Sequence, residues 1–197
     1  MTPIEIVAFV FGVATVYLSA RENIWSWPTG MVNVALYAVI FWRERLYADM
    51  GLQVVYFALS VYGWYEWLHG GARKSPLKIS RAPRAMLLWL ALGGVVFAAS
   101  LTHVLARTTN AAVPAVDSSC TTVSLIAQFL MTRKYLENWA VWVAVDIAYV
   151  GLFISRGLML TALLYLIFTA LALYAWREWL RSWRLQRDAG AVAGGPA

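Results

Sequence analysis

Seven stretches of this chain are almost purely apolar, separated by short segments that collect the charge. They run about Ile4 to Ser19, Trp27 to Trp42, Leu46 to Leu68, Arg84 to Ala106, Pro114 to Thr132, Glu137 to Ser155 and Leu158 to Trp179. A helix needs roughly 20 mostly apolar residues to cross the hydrocarbon of a bilayer. The pattern therefore predicts an all-α polytopic membrane protein with seven transmembrane helices. Pro28 suits the first turn of its helix, where a missing N–H costs nothing. The Gly70-Gly71 pair stops the third helix. Residues 182–197, ending in the small and polar run Ala189 to Ala197, read as a disordered tail.

Polar positions inside the spans fall in stripes. Trp139, Trp142 and Asp146 lie at i, i+3 and i+7 and share one helix face, which Tyr149 continues. In the fifth span Asp117, Thr121, Ser124 and Gln128 form a second stripe. Gln53, Tyr56 and Ser60 form a third, and Asn33 with Tyr37 a fourth. Such stripes must face protein or water, not lipid. Hydroxyls and amides also join helices to one another, and that is the plainer reading for Ser60, Thr121 and Ser124. Gln53, Asn33 and Gln128 suit either role. Asp117, followed by Ser118 and Ser119, could be an ordinary helix cap. Trp139 could belong to an aromatic belt at the membrane surface.

Asp146 stands apart. It sits midway between Glu137 and Arg156, and a carboxylate at that depth is costly and usually functional. No Lys or Arg lies within a span core, so a protein ion pair is not expected. A cationic ligand, a proton or a file of water is left. Indole faces attract cations and stack on flat rings. A planar cationic solute fits, with Trp142, Asp146, Trp139, Gln128, Asn33, Gln53, Tyr37, Tyr149, Asp117 and Tyr56 as the candidate binding residues.

The chain also matches itself. Tyr62-Gly-Trp-Tyr-Glu-Trp67 resembles Tyr174-Ala-Trp-Arg-Glu-Trp179 at an offset of 112 residues. Asn23-Ile-Trp-Ser-Trp27 resembles Asn138-Trp-Ala-Val-Trp142 at an offset of 115. Allowing small gaps, Asn33 becomes the counterpart of Asp146. Spans one to three then repeat as spans five to seven in the same orientation, and the fourth span must cross between them. This 3+1+3 parallel repeat is a transporter plan with a site near the midplane. It divides the chain into a first three-helix bundle at 1–69, a loop and linking helix at 70–113, a second bundle at 114–181 and the tail.

Composition narrows the rest. Only 13% of residues are charged and the mean hydropathy is +0.64, against about 25% charged in soluble domains. The net charge of +6 is spread over loops, so it speaks for orientation and not for nucleic acid. Four basic residues (Arg43, Arg45, Arg107, Arg156) share the side of the N-terminus and 12 lie opposite. The positive-inside rule then puts the N-terminus outside and the C-terminus in the cytoplasm. The N-terminus lacks a basic region and cleavage site and reads as a retained first span. One cysteine and two distant histidines argue against a disulfide or a metal centre. Lys74, Lys78 and Lys134 are all in loops, which removes a retinal Schiff base. No Walker motif appears. No nucleophile–base pair or set of paired acids at one depth suggests an enzyme, and no cofactor is expected.

Leu46-Tyr-Ala48, Gln53, Tyr62-Gly-Trp-Tyr65 and Met131-Thr-Arg-Lys-Tyr-Leu-Glu-Asn-Trp-Ala-Val-Trp142 resemble the PnuC family of bacterial vitamin transporters. The family's Trp-x-x-Trp-x-x-x-Asn/Asp signature falls on Trp139, Trp142 and Asp146, and Asp117 and Gln128 also resemble family positions. The resemblance spans about residues 4 to 181. It implies a fold related to the SWEET sugar transporters, a homotrimer in the bacterial inner membrane, and facilitated diffusion of nicotinamide riboside. It also implies uptake driven by phosphorylation of the riboside inside the cell. The signature ends here in Asp146, where nicotinamide riboside members include Asn. Relatives carry thiamine or riboflavin, and Asp suits either cation, the riboside or thiamine, better than neutral riboflavin.

Overall fold

The computed structural model describes residues 3–43, 47–108, 114–155, 157 and 159–193. Among them are seven α-helices and one short 3-10 turn. The helices are α1 (Pro3–Ala20), α2 (Ser26–Arg43), α3 (Tyr47–His69), α4 (Arg84–Thr108), α5 (Pro114–Thr132), α6 (Glu137–Ser155) and α7 (Met159–Ala193). Each starts within a few residues of one apolar stretch, and all but α7 also end within a few residues of it. Pro28 lies in the first turn of α2 and α3 ends before Gly70, as the sequence leads one to expect. The expected span starts Leu46 and Leu158, the basic residues Arg45 and Arg156, and residues 194–197 lie outside the described residues.

Four helices are long and apolar enough to cross a membrane by length and composition: α1, α4, α6 and α7. Of the four polar stripes, the one with Asp146 is on α6, and three are on the remaining helices, α2, α3 and α5. Their lower hydropathy comes from residues such as Asn33, Asp49, Gln53 and Ser124, which is what a helix packed inside a bundle can tolerate. The tail differs from expectation. α7 does not stop at Trp179 but continues to Ala193, so 182–193 is helical and not disordered. Arg, Leu, Gln and Ala in that stretch are good helix formers. Trp183 anchors it, its ring lying 5.0 Å from the Arg81 guanidinium and 5.7 Å from that of Arg187.

Helix contacts close a ring. α1 packs on α2, α2 on α3, α3 on α5, α5 on α6, α6 on α7, and α7 returns to α1. α4 stands outside this ring and packs on α5 alone among the described helices, with no buried residue of its own. α5, by contrast, buries Ser118, Cys120, Thr122, Ser124, Ala127, Leu130, Met131 and Thr132.

One end of the ring, where α1, α3 and α5 finish, is sealed by tryptophan. Trp27 meets Trp67 edge to face with ring centroids 5.3 Å apart at 89°. Trp139 meets Trp179 in the same way at 5.5 Å and 89°. Trp67 and Trp179 touch each other across the centre at 5.9 Å. Edge-to-face geometry places the positive rim of one indole on the negative face of the next. Each of these contacts recurs at a spacing of 112 residues: 27 and 67 against 139 and 179. The offset of 115 expected for the Asn23–Trp27 segment is therefore not the one the packing follows. At 112, Trp27 corresponds to Trp139, and the position corresponding to Asp146 is Val34, not Asn33.

Gly63 is what lets Trp27 lie so close to α3, because a β-carbon there would fall inside the Trp27 ring. Gly63→Ala is therefore expected to destabilise the protein by about 1–3 kcal/mol, the usual cost of overpacking a tight core. Gly51→Ala, where a β-carbon meets nothing within 4 Å, is expected to leave stability unchanged or slightly raised. Thermal unfolding of the two variants in detergent checks both.

Candidate functional site

The polar positions that remain after the tryptophan end is accounted for lie between that end and the opposite mouth. Asp146 is on the inner face of α6, about two and a half turns from the helix start, and only 7% exposed. Among the described residues no ion pair or hydrogen bond is formed by its carboxylate, and the two ion pairs present use other acids. The nearest chemistry is aromatic. Tyr165 of α7 is close enough to Asp146 to interact with it electrostatically. Tyr165 lies against Tyr149 at 4.8 Å and stacks on Phe153 at 5.3 Å, and Phe168 meets it edge-on at 6.0 Å. A buried carboxylate beside a set of π-faces is an arrangement that favours a flat cation.

α5 supplies the facing wall. Ser124 is buried, and the Tyr56 side chain reaches its hydroxyl across the α3–α5 contact. Gln128, one turn further along, is half-buried. Asp117 stands in the first turn of α5, close to Asp49 of α3, Cys120 and Tyr149. It therefore sits at the mouth opposite the tryptophan seal, not at the depth of Asp146. Tyr37 of α2 lies against Phe41 at 5.8 Å, as Tyr149 lies against Phe153 at 5.9 Å. The four residues are again 112 apart in pairs. Gln53 is half-buried on α3, one turn from Tyr56.

Two expected site residues are committed elsewhere. The Asn33 amide donates to the Ala8 carbonyl at 2.6 Å and lies over Gly12. It ties α2 to α1, the structural role its residue type also allows. Trp139 is 2% exposed and packed within the tryptophan seal, with its indole N–H unpartnered. It forms the floor beneath Asp146 and not a side wall. Trp142, one turn deeper, is only half-buried and packs on the edge of that cluster. Ser60 donates to the Tyr56 carbonyl of its own helix at 2.8 Å, so its hydroxyl is already satisfied.

Tyr165, Phe153 and Phe168 are residues that sequence reasoning missed. Aromatic side chains in an apolar span carry no polar signal. The repeat could have found two of them: with an offset of 112, Tyr165 falls on Gln53 and Phe168 on Tyr56, both already singled out, whereas Phe153 falls on Phe41, which was not.

This geometry matches known proteins. The sequence model described as the nicotinamide mononucleotide transporter family matches residues 2–181. The chain is 34% identical over 206 aligned residues to the nicotinamide riboside transporter PnuC of Escherichia coli, covering 92% of this chain and 86% of that one. It is 28% identical to the riboflavin/roseoflavin transporter RibM of Streptomyces davaonensis, covering 98% and 91%. The crystal structure of the vitamin B3 transporter PnuC superposes with a TM-score of 0.68 at 25% identity, covering 89% of this chain and 79% of that one. The match runs over nearly the whole helical ring, so the multi-pass bundle and its apolar helices are those of a membrane transport protein, and the chain belongs to the nicotinamide mononucleotide transporter family.

Proposed function

We propose that the protein carries nicotinamide riboside across the bacterial inner membrane by facilitated diffusion. The observation that carries this reading is Asp146: a buried carboxylate with no cationic partner among the described residues, flanked by Tyr149, Tyr165 and Trp142. The riboside has a planar pyridinium ring, whose positive charge Asp146 would balance and whose faces the aromatic side chains would cover. Gln128, Gln53, Ser124 and Tyr56 are placed to bind ribose hydroxyls, with Tyr37 and Asp117 nearer the mouth. Relatives named for the riboside support the assignment. The relative named for riboflavin keeps a second vitamin in view, but a neutral isoalloxazine gives Asp146 no counter-charge. In this reading nothing in the carrier spends energy. Phosphorylation of the riboside inside the cell holds the free concentration down and pulls uptake.

All seven helices would span the membrane in a 3+1+3 plan of the SWEET type, α1–α3 repeating as α5–α7. The ring of contacts supports this, because exchanging the two triplets turns the α3–α5 contact into α7–α1. The tryptophan end would face the cytoplasm, where the 12 basic residues lie. α4, outside the ring, exposes Leu88, Trp89, Leu92, Val95, Val96 and Phe97. It would supply the contact of a homotrimer.

Binding of a panel to the purified protein tests the substrate. Nicotinamide riboside is expected to bind; binding of none of riboside, mononucleotide, thiamine and riboflavin would sink the assignment, and thiamine alone would change it. Asp146→Asn is expected to weaken the riboside roughly tenfold or more, about 1.4 kcal/mol, while Asn33→Ala lowers stability with little change in affinity. Equal affinity of Asp146→Asn and the parent would remove the counter-ion role. Light scattering in mild detergent is expected to give three chains per particle, and a monomer would overturn the trimer.

A further inference from the structure

The two seams that join α1–α3 to α5–α7 are built alike at the tryptophan end. On one, Trp67 of α3 donates its indole N–H to the Met131 carbonyl at 3.0 Å. Arg133 there donates to Tyr62 at 3.1 Å and pairs with Glu66 at 2.8 Å. On the other, Trp179 of α7 donates to the Ser19 carbonyl at 2.9 Å, and Arg21 reaches Tyr174 and Glu178. Every member of the first set is 112 residues from its member in the second. Between the seams Lys134 pairs with Glu22 at 3.2 Å, and these too are 112 apart. Both residues hold the same left-handed backbone, φ 50° and 53°. The contacts differ in one respect: Arg133 forms an ion pair with Glu66, whereas among the described residues no ion pair joins Arg21 to Glu178.

The larger difference is the segment between α3 and α4. Residues 75–83 run across the tryptophan end as a strap. Leu77 N–H donates to the Trp67 carbonyl at 3.0 Å, tying the strap to the end of α3. Ser80 N–H donates to the Lys134 carbonyl at 3.1 Å, and Leu136 N–H donates back to the Ser80 carbonyl at 2.9 Å. Ala82 N–H donates to the Glu137 carboxylate at 2.9 Å. Ile79 and Ala82 are buried beneath these bonds. The strap therefore staples the end of α3 to the α5–α6 turn and, through Arg81 on Trp183, to α7, and it makes no described hydrogen bond to the α1–α2 turn. The α1–α2 turn has no such cover: Ile24 N–H, the counterpart of Leu136 N–H, has no backbone partner among the described residues. Trp25, the counterpart of Glu137, is 65% exposed.

We infer that the α1–α7 seam is the gate at this end and the α3–α5 seam is its hinge, with residues 75–83 as the pin. A solute leaving the site passes between the α1–α2 turn and α7. Opening parts Arg21 from Glu178, Trp179 from the Ser19 carbonyl and Glu22 from Lys134. The strapped seam keeps its hydrogen bonds. Rocking is thus lopsided although the two halves are built on nearly the same contacts. The inference leans on the transport reading for its direction, and one arm of the test does not.

The test uses the full chain with Cys120→Ser. Arg21→Cys with Glu178→Cys, joined by a short bifunctional thiol reagent, bridges the gate seam. Glu66→Cys with Arg133→Cys bridges the hinge seam. In proteoliposomes the gate bridge is expected to cut nicotinamide riboside uptake at least tenfold, restored by cleaving the bridge, and the hinge bridge to change it less than twofold. Block by both bridges, by neither, or by the hinge bridge alone would overturn the assignment. The arm free of any solute is amide hydrogen exchange of the unsubstituted protein. Residues 21–26 are expected to exchange at least tenfold faster than residues 133–138. Equal rates, or the reverse order, would overturn the inference whatever the protein carries, whereas failure of the riboside alone to enter the unbridged protein would count against the substrate and leave this arm standing.

Discussion

The fold depends on two backbone carbonyls that a helix cannot satisfy for itself. α1 and α5 end inside the protein, and the last carbonyls of a helix have no partner within it. In water these groups would be solvated, but at the edge of a hydrocarbon layer each unpaired one costs several kcal/mol. Ser19 and Met131 carry two of them; each accepts one bond from the turn that follows, from Glu22 N–H and Lys134 N–H at 3.0 Å, and a second from the indole of Trp179 or Trp67 in a neighbouring helix. Only a side chain that is large, apolar in body and a donor at one edge can reach a buried carbonyl from a neighbouring helix without bringing charge. Once Trp67 and Trp179 are fixed there, Trp27 and Trp139 have one way to pack on them, edge to face. Gly63 must then be small.

That requirement weighs equally on both halves, which explains where the halves agree and where they do not. The sealed end keeps Leu18, Arg21, Trp27, Glu66 and Trp67 as Leu130, Arg133, Trp139, Glu178 and Trp179. Around the site the match lapses. Asp146 stands against Val34, Trp142 against Gly30, Gln128 against Val16 and Ser124 against Gly12. The polar and bulky member of each pair is in the second half. A substrate with one charged end and one hydroxylated end needs unlike walls, and exchange of the halves would be incompatible with a single bound orientation. Asn33 belongs to the same asymmetry. It fills the space over Gly12 and bonds the Ala8 carbonyl, helping to hold α1 against α2 where the second half has Val145.

Helix number, length and order were legible in the chain because apolar run length is a strong signal and each run is bounded by charge, Pro or Gly. Asp146 was legible because one carboxylate among Ala, Val and Ile has no local excuse. Other features depended on information that no single helix holds. Trp139 and Trp142 differ by one turn, and periodicity alone puts both on the face of Asp146; only the position of Trp179 decides that the first is floor and the second is edge. Asn33 and Gln128 are both amides in mid-span, and which is spent on a neighbouring carbonyl depends on helix separation. The register of the repeat was misplaced by one turn near Trp27 because two tryptophans three residues apart align almost equally well either way. The edge-to-face pairs remove that ambiguity. The extension of α7 to Ala193 was hidden by its polarity, which resembles a tail until Arg81 is seen to bring a guanidinium to Trp183.

Sealing one end so firmly has a consequence for how such a ring can work. Two indole hydrogen bonds, two ion pairs and four interlocked tryptophans hold one end, while at the other end Asp49 and Asp117 bring like charges near each other. Like charges near one another repel, the more so where water is scarce. The contacts that hold the helices together are therefore concentrated at the tryptophan end, and the charges at the acidic end oppose close approach. If the solute is the cation proposed above, its charge would offset part of the acidic repulsion as it enters, and a neutral flat ring of the same size would not. On that reading Asp146 and the Asp49–Asp117 pair would act on the same property of the solute at two depths, the first by giving a positive ring a partner and the second by leaving an uncharged occupant without one.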